Sequence, residues 1–401
     1  MKIVKLKHLQ FIFTAIIAFC IISPPLANLL EAILFVGLFF CGAVNKNLIR
    51  YTKTLDFKIH MGFILILLLG FLYPLVDTQS YFSSIISWRK FLLLPIGYII
   101  FLNCQSEKFK LLKYLLYFLF SLTVLSLIYK NGWLFFFNIN TIKYQIGTTS
   151  SEAMFIAVAL AIVLFSLLHK YQLLGISKKI EFGIALFLIA YIAMYTTGRS
   201  GYIAMLVVLI FMAIKYVKLQ HHSFGIRAWV ILSVVISLSV ALLMNSKTSS
   251  DRIEQALVEL QQTEKNLNEN ISTSIGQRVI FWNNTLQMVP QYYLFGAGTG
   301  AFQAAYTQQV ANKTGLDGAV TQDPHNQYLK ILIEQGILGL ALFITILFRA
   351  LIQKNVQDEI YLLGSTIICI WIVTSCFNAH FSTFMEGTFI WAWLGLMNRY
   401  K

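Results

Sequence analysis

Charged residues are scarce in this chain of 401 residues. They make up 12% of the sequence, whereas 58% of its residues are hydrophobic, and a soluble domain carries about 25% charged residues. A soluble core could not enclose that much apolar surface, so lipid must be the solvent for most of the chain. The composition therefore excludes a soluble globular protein and predicts a polytopic membrane protein.

Cysteines and paired carboxylates are also rare. The five cysteines form no CxxC pair and offer no metal-ligand spacing, which favours a role as small apolar packing residues. The adjacent His221 and His222 have no carboxylate near them in the sequence, and the long polar loop contains no DxD-like pair. We therefore expect no metal and no cofactor.

Apolar runs long enough to cross a bilayer alternate with short polar gaps. The first run follows three lysines and no small-x-small cleavage site follows it, so we interpret it as a retained span rather than a signal peptide. The predicted fold class is an all-α polytopic membrane protein with about twelve transmembrane helices and one large helical loop between spans nine and ten. The predicted spans are 9–25, 28–44, 59–76, 88–103, 111–129, 152–168, 180–197, 201–217, 227–244, 327–348, 359–377 and 384–398.

Lysine and arginine are distributed unevenly between alternate gaps, although the formal net charge is +14. With the N-terminus in the cytoplasm, twenty of these residues lie in cytoplasmic segments and five in the short outer gaps. The positive-inside rule therefore predicts cytoplasmic N- and C-termini. The predicted organisation is spans one to nine at 1–244, an outer loop at 245–326 and spans ten to twelve at 327–401.

The loop is the only large polar region. Its first part, 251–270, is rich in Glu, Gln and Asn with a weak amphipathic stripe, which predicts a surface helix. A second helix is predicted to start near Ser274 and to end before Pro290. The sequence Phe295-Gly-Ala-Gly-Thr-Gly300 resembles a nucleotide-binding glycine loop, but no strand precedes it, so we interpret it as a tight turn.

Three arginines lie at outer span ends or in the loop. A charged side chain in or beside a membrane span is energetically costly, so it is expected to have a partner or a function. Arg89 opens span four, Arg199 lies in a short hairpin, and Arg278 lies in the loop four residues before Trp282. Guanidinium groups bind phosphate in a fixed fork geometry, so converging arginines would suit a lipid-linked diphosphate. The alternative is that each contacts lipid headgroups, and the neighbouring Lys90 favours this alternative for Arg89.

The sequence Asp323-Pro-His-Asn-Gln327 immediately precedes span ten. Asp323 is a good helix N-cap and Pro324 a good first helical residue, which predicts that His325 lies in the first turn of that span. A helix N-terminus disfavours the imidazolium form, and a neutral histidine can act as a general base. The alternative is an interfacial histidine with no catalytic role.

Weaker candidates lie near the same membrane face. His380 and Glu386 flank the last outer hairpin, and Glu386 lies slightly inside the membrane, so it must be either partnered or functional. Asn326 and Trp282 are lower-priority site residues because they accompany the stronger candidates. Glu152 is interpreted as a span-end residue.

Together these features resemble the bacterial O-antigen ligase family, which shares a membrane module with O-antigen polymerases and protein O-oligosaccharyltransferases. The resemblance covers about residues 180–350, and the span pattern extends it over the chain. An ordered set carries it rather than any single motif. The set consists of the long loop before the last three spans, Thr197-Gly-Arg-Ser-Gly201, Arg278-Val-Ile-Phe-Trp282 ahead of a glycine-rich turn, Pro324-His-Asn-Gln-Tyr-Leu329 and Glu334-Gln-Gly-Ile-Leu-Gly339.

The resemblance implies a GT-C-like glycosyltransferase of the bacterial inner membrane. It would transfer a glycan from undecaprenyl diphosphate to lipid A–core oligosaccharide at the periplasmic face, without a metal ion. Its partners would be the glycan donor, the acceptor and membrane lipids, and it would bind no nucleic acid. Arg199 and Arg278 would hold the diphosphate, and His325 would activate the acceptor hydroxyl. Arg89 is a further candidate diphosphate ligand because of its position at an outer span end, not because of the resemblance. Attack opposite the leaving group would invert the anomeric centre, and arginine charge would stabilise the departing diphosphate.

Other functions stay open at this stage. An O-antigen polymerase would use the same donor with a lipid-linked glycan as acceptor. A transporter or flippase would place charges near the bilayer midplane and often show repeated halves, whereas the span centres here are almost free of charge. A protein oligosaccharyltransferase is less favoured because such chains usually carry a longer C-terminal region.

Overall fold

The structure is a computed structural model, and within the residues that it describes it is all-helical, with no strand. Those residues are 5–73, 75–102, 106–131, 149–168, 175–196, 198–219, 274–315, 317–352 and 359–397, with the isolated positions 251, 254 and 258. The helices are α1 (Leu6–Ile22), α2 (Pro24–Phe39), α3 (Gly42–Thr52), α4 (Leu55–Leu69), α5 (Thr78–Trp88), α6 (Leu93–Phe101), α7 (Ser106–Lys130), α8 (Thr149–Leu168), α9 (Lys178–Tyr195), α10 (Arg199–Leu219), α11 (Ser274–Tyr292), α12 (Phe302–Val310), α13 (Gln327–Leu351), α14 (Glu359–Thr374) and α15 (Phe384–Met397). Short 3₁₀ turns follow α4 at Gly70–Leu72 and join α5 to α6 at Arg89–Leu92.

Several of these helices are apolar enough to cross a membrane. Four described segments also have the required length, namely Leu55–Leu72, Thr78–Phe101, Leu111–Lys130 and Gln327–Leu351. The bent pair α2 and α3 would make a fifth, and shorter apolar helices accompany them. The chain is therefore a helical membrane protein. The total of twelve spans stays a prediction, and the predicted ninth span, 227–244, lies outside the described residues.

The second predicted span, 28–44, is wrong at its end, because the chain bends sharply before residue 44. α2 ends at Phe39, and α3 continues at an angle of 88° to it. Polar contacts explain the bend, because the Asn47 amide donates to the Ile99 carbonyl at 2.8 Å and the Tyr51 hydroxyl lies 2.5 Å from His60 Nδ1. These contacts hold α3 against α6 and α4 instead of letting it extend α2.

Two helices form the centre of the molecule. α8 is buried at every position from 151 to 166 and packs against α7, α9, α10 and α14. α15 is buried from Glu386 to Met397 and packs against α1 and α6, where a Cβ on Gly395 would come within 2.6 Å of the Leu94 carbonyl oxygen. Apolar residues on all sides suit a helix enclosed by other helices, and small residues allow the close approach.

The described part of the polar loop has a small apolar core of its own. It forms between α11, α12 and the first half of α13, and its buried members include Met288, Tyr292, Phe302, Tyr306 and Ile333. Burial raises the pKa of the Tyr306 phenol, and the Asn284 amide donates to its oxygen at 3.0 Å, so this buried phenol is neutral. The surface helix predicted at 251–270 lies almost entirely outside the described residues.

One loop prediction is wrong and another is confirmed. α11 does not end before Pro290 but continues to Tyr292. Pro290 lacks the N–H that would donate to the carbonyl four residues before it, but the helix ends only two residues later, so this loss does not end the helix at Pro290. The glycine-rich sequence is a tight turn, with φ values of 80°, 103° and 88° at Gly296, Gly298 and Gly300.

Candidate active site

The loop helix α11 lies directly on the turn that carries His325. The Trp282 indole donates to the Pro324 carbonyl at 2.8 Å, and the Phe281 and His325 rings stack with centroids 6.3 Å apart and an interplanar angle of 25°. Arg278 precedes Phe281 and Trp282 by three and four residues, so it lies on the same face of α11. The structure therefore brings the helix that carries Arg278 to the turn that carries His325.

The position predicted for His325 is wrong by one turn of helix. α13 begins at Gln327, with Asn326 as its N-cap, and the Asn326 side-chain oxygen accepts from the Tyr328 and Leu329 backbone N–H groups at 3.0 and 3.1 Å. His325 has φ 55°, in the left-handed region that asparagine and glycine favour. It therefore precedes the helix, and the argument for a neutral ring in the first turn does not apply to it.

Asp323 explains this difference. Its carboxylate accepts from the His325 backbone N–H at 2.7 Å, which closes a local turn instead of capping α13. Asn and Asp are about equally good N-caps, so the sequence alone could not choose between positions 323 and 326. The resulting turn points the half-exposed His325 towards α11.

The start of α13 is also tied to the segment between α14 and α15. Gln327 is fully buried, and its backbone N–H donates to the Ser375 carbonyl at 2.9 Å. Its side-chain oxygen accepts from the Phe381 N–H at 3.1 Å and faces the Ser382 hydroxyl at 3.5 Å. These contacts fix the helix start that follows His325.

Glu386 has partners within the chain. Its carboxylate accepts from the Thr383 hydroxyl at 2.6 Å and from the Ser151 hydroxyl, and it lies 3.7 Å from His380 Nδ1. His380 is fully buried. Lys90 donates to the Thr383 carbonyl at 2.8 Å and is buried, so the expectation that it contacts lipid headgroups is wrong. These contacts stabilise the turn between α14 and α15, and a catalytic role for His380 or Glu386 stays a prediction.

Arg199 is the first residue of α10, beside the start of α8. A Cβ on Gly201 would lie 2.3 Å from that of Ala153, so the two helices touch here. The adjacent Glu152 is more than a span-end residue, because it binds Lys130 at 2.7 Å and the Tyr191 hydroxyl at 2.7 Å. Convergence of Arg199 with Arg278 and His325 stays a prediction.

Arg89 is engaged by the chain itself. Its Nε donates to Glu31 at 3.3 Å, and its two terminal nitrogens donate to the Ile86 carbonyl at 3.1 Å and to the Asn28 side chain. A guanidinium has five N–H groups, so donors are left for a further ligand. Its assignment as a diphosphate ligand stays a prediction.

Sequence reasoning included Gln327 and Glu334 in its motifs but assigned no role to either residue. Glu334 is buried inside an apolar helix, where a carboxylate is costly, and that cost was a readable signal. Among the described residues, no group of three or more His, Cys, Asp or Glu side chains is placed to hold a metal ion. Metal-independent chemistry stays a prediction.

Comparison with known proteins bears on the same region. Residues 184–344 match the family model described as O-Antigen ligase, a range that contains Arg199, Arg278, His325 and Glu334. No curated protein sequence gives a significant match to the chain. The chain therefore carries an O-antigen ligase family domain between residues 184 and 344.

Proposed function

We propose that the protein is an O-antigen ligase. It transfers a glycan from undecaprenyl diphosphate to lipid A–core oligosaccharide at the periplasmic face of the bacterial inner membrane. The observation that carries the proposal is the docking of α11 on the His325 turn, within the family domain. It sets a phosphate-binding residue type close to a histidine at one end of the membrane helices.

The reaction is a displacement at the anomeric carbon. An acceptor hydroxyl oxygen forms the new glycosidic bond, while the bond from the anomeric carbon to the diphosphate oxygen breaks and its electron pair leaves with undecaprenyl diphosphate. His325 takes the hydroxyl proton. Arg199 and Arg278 stabilise the charge that develops on the diphosphate. Attack opposite the leaving group inverts the anomeric configuration, and no metal is required.

The test is complementation of a host strain that lacks its own ligase. Arg199→Ala, Arg278→Ala and His325→Ala should each abolish O-antigen attachment while the protein still reaches the membrane. Lys313→Ala removes a loop cation that pairs with Asp317 at 3.5 Å, and it should leave attachment intact. The measurement is electrophoresis of lipopolysaccharide with a blot for the protein.

The lipopolysaccharide pattern separates the alternatives. Restoration of full-length O-antigen on the core supports the ligase, whereas restoration only of polymer length in a polymerase-deficient strain supports a polymerase. Purified protein that joins the glycan to lipid A–core without other components excludes a transporter. Full attachment by the His325→Ala variant would remove His325 as the base.

A further inference from the structure

α13 is interrupted at Gly336. This residue has φ 66° and ψ −171° inside the helix, which separates a first half, 327–335, from a second half, 337–351. A Cβ at Gly336 would lie 2.4 Å from the Leu294 carbonyl oxygen. Only glycine permits both the backbone angle and the close approach, so the interruption is shaped to receive the loop.

The glycine turn of the loop fills the interruption. The Ala297 N–H donates to the Ile333 carbonyl at 2.7 Å, and the Gly298 N–H donates to the Glu334 carbonyl at 3.0 Å. In return, the Ile337 N–H donates to the Tyr293 carbonyl at 2.7 Å. The loop thus supplies partners for backbone groups that a continuous helix would satisfy internally. We call residues 293–300 together with 333–337 the glycine lock.

The Glu334 side chain adds a buried polar contact to the glycine lock. This side chain is buried, and its carboxylate accepts from the Gln335 side-chain amide at 3.2 Å. The Thr299 hydroxyl, which faces the same amide at 3.5 Å, donates to the Leu67 carbonyl at 2.9 Å. A buried carboxylate is tolerated when N–H groups satisfy it, and the proposed reaction does not use this one.

α11 and α13 contact each other at both ends, and the glycine lock is the contact at one end. At the other end, Phe281 and Trp282 of α11 hold the turn of Pro324 and His325. On the α11 side, eleven residues separate Trp282 from Tyr293, or roughly 16 Å at 1.5 Å per residue. Within the glycine lock, Ile333 also packs into the loop core. The helix that bears Arg278 and the turn that bears His325 are therefore parts of one unit.

We propose that Glu334 is a positioning residue that, through the glycine lock, fixes the relative placement of Arg278 and His325. This inference rests on the proposed ligase function. Loss of the Glu334 carboxylate leaves the Gln335 amide, which faces Thr299 of the glycine turn, without its acceptor. This loosens the glycine turn, so α11 shifts against α13. Small displacements of catalytic groups cost much of the rate, while substrate binding elsewhere is retained.

The first test is kinetic and uses purified full-length protein with undecaprenyl-diphosphate-linked glycan and lipid A–core. Glu334→Ala should lower kcat by about tenfold or more and leave the donor KM within about twofold. Glu334→Gln retains a side-chain oxygen for the Gln335 amide and should recover kcat to within about fivefold of wild type. The matched control is Glu181→Ala, which removes an equally buried glutamate of α9, paired with Lys178 at 3.1 Å.

The second test measures a distance and needs no activity. Spin labels are placed at the exposed positions Gln287 on α11 and Leu338 on the second half of α13, in a cysteine-free background. The distance distribution should broaden in Glu334→Ala and stay as in wild type in Glu181→Ala and Glu334→Gln. If Glu334→Ala does not fold, Glu334→Gln decides by its kcat and its distance distribution.

The outcomes separate this proposal from the ligase assignment. An unchanged distance distribution in Glu334→Ala overturns the positioning role, whatever the reaction is. An inactive Glu334→Gln with the wild-type distribution also overturns it, because the ionisable group would then matter rather than the held geometry. A wild-type protein that transfers no glycan contradicts the proposed ligase function. The spin-label distance distribution still tests the glycine lock in that case.

Discussion

His325 shows how residue-scale structure depends on competition between neighbours. Asp323, Pro324 and Asn326 are all favourable near a helix start, and the sequence predicted the earliest start. The chain uses Asp323 for a local turn and Asn326 as the cap, so His325 adopts φ 55° ahead of the helix. The candidate base was thus identified from its sequence context, but its backbone conformation was not.

Asn326 should act mainly on stability. Replacing it with alanine removes the acceptor for the Tyr328 and Leu329 N–H groups and should lower the free energy of unfolding by about 1 kcal/mol. Asn326→Asp and Asn326→Ser keep a capping oxygen and should stay near wild type. Thermal unfolding in detergent checks this. Loss of glycan transfer by Asn326→Ala without a change in unfolding temperature would instead assign it a direct role on substrate.

At the element scale, the glycine turn and α13 are each irregular, and each irregularity fits the other. Gly296 and Gly336 approach backbone atoms of the opposite segment, to 2.3 Å from the Glu334 oxygen and 2.4 Å from the Leu294 oxygen for an added Cβ. The sequence predicted the turn from its glycines. It could not predict the break in α13, because one glycine in an apolar run is usually tolerated in a helix.

Substituting Gly296 should destabilise the protein. Gly296→Ala places a side chain at φ 80° against the Glu334 carbonyl, which should cost at least about 1–2 kcal/mol. The matched control is Gly183→Ala in α9, where an added Cβ meets nothing within 4 Å and alanine should stabilise the helix by about 0.5–1 kcal/mol. Opposite shifts in unfolding temperature are expected. A neutral Gly296→Ala would show that the turn relaxes freely.

At the scale of the whole molecule, enclosure decides which apolar helices face lipid. α8 and α15 are surrounded by other helices, whereas α2, α4 and α5 expose Val36, Leu65 and Phe82 among other large apolar side chains. Hydropathy alone treats these helices alike, since lipid and a protein interior are both apolar. Their membrane orientation stays a prediction from the lysine and arginine distribution.

Orientation can be tested with two single cysteines in a cysteine-free background. Asn312 and Lys53 are both exposed, the first in the loop after α12 and the second at the end of α3. A membrane-impermeant maleimide should label Asn312→Cys in intact spheroplasts, and Lys53→Cys only after permeabilisation. Cysteine labelling is read on gels by mass shift. Labelling of Lys53→Cys in intact spheroplasts would reverse the predicted topology.

The sequence by itself determined the membrane class, most helix bounds, the glycine turn and the similarity of residues 184–344 to the O-antigen ligase family model, because these depend on composition, hydrophobic runs and local motifs. Only the tertiary structure decided that α2 bends into α3, that α13 breaks at Gly336, and that Arg278 and His325 share one helix pair. Those features arise from hydrogen bonds and close approaches between segments far apart in the chain. No local pattern predicts these contacts, because neither contacting segment has an unusual sequence of its own.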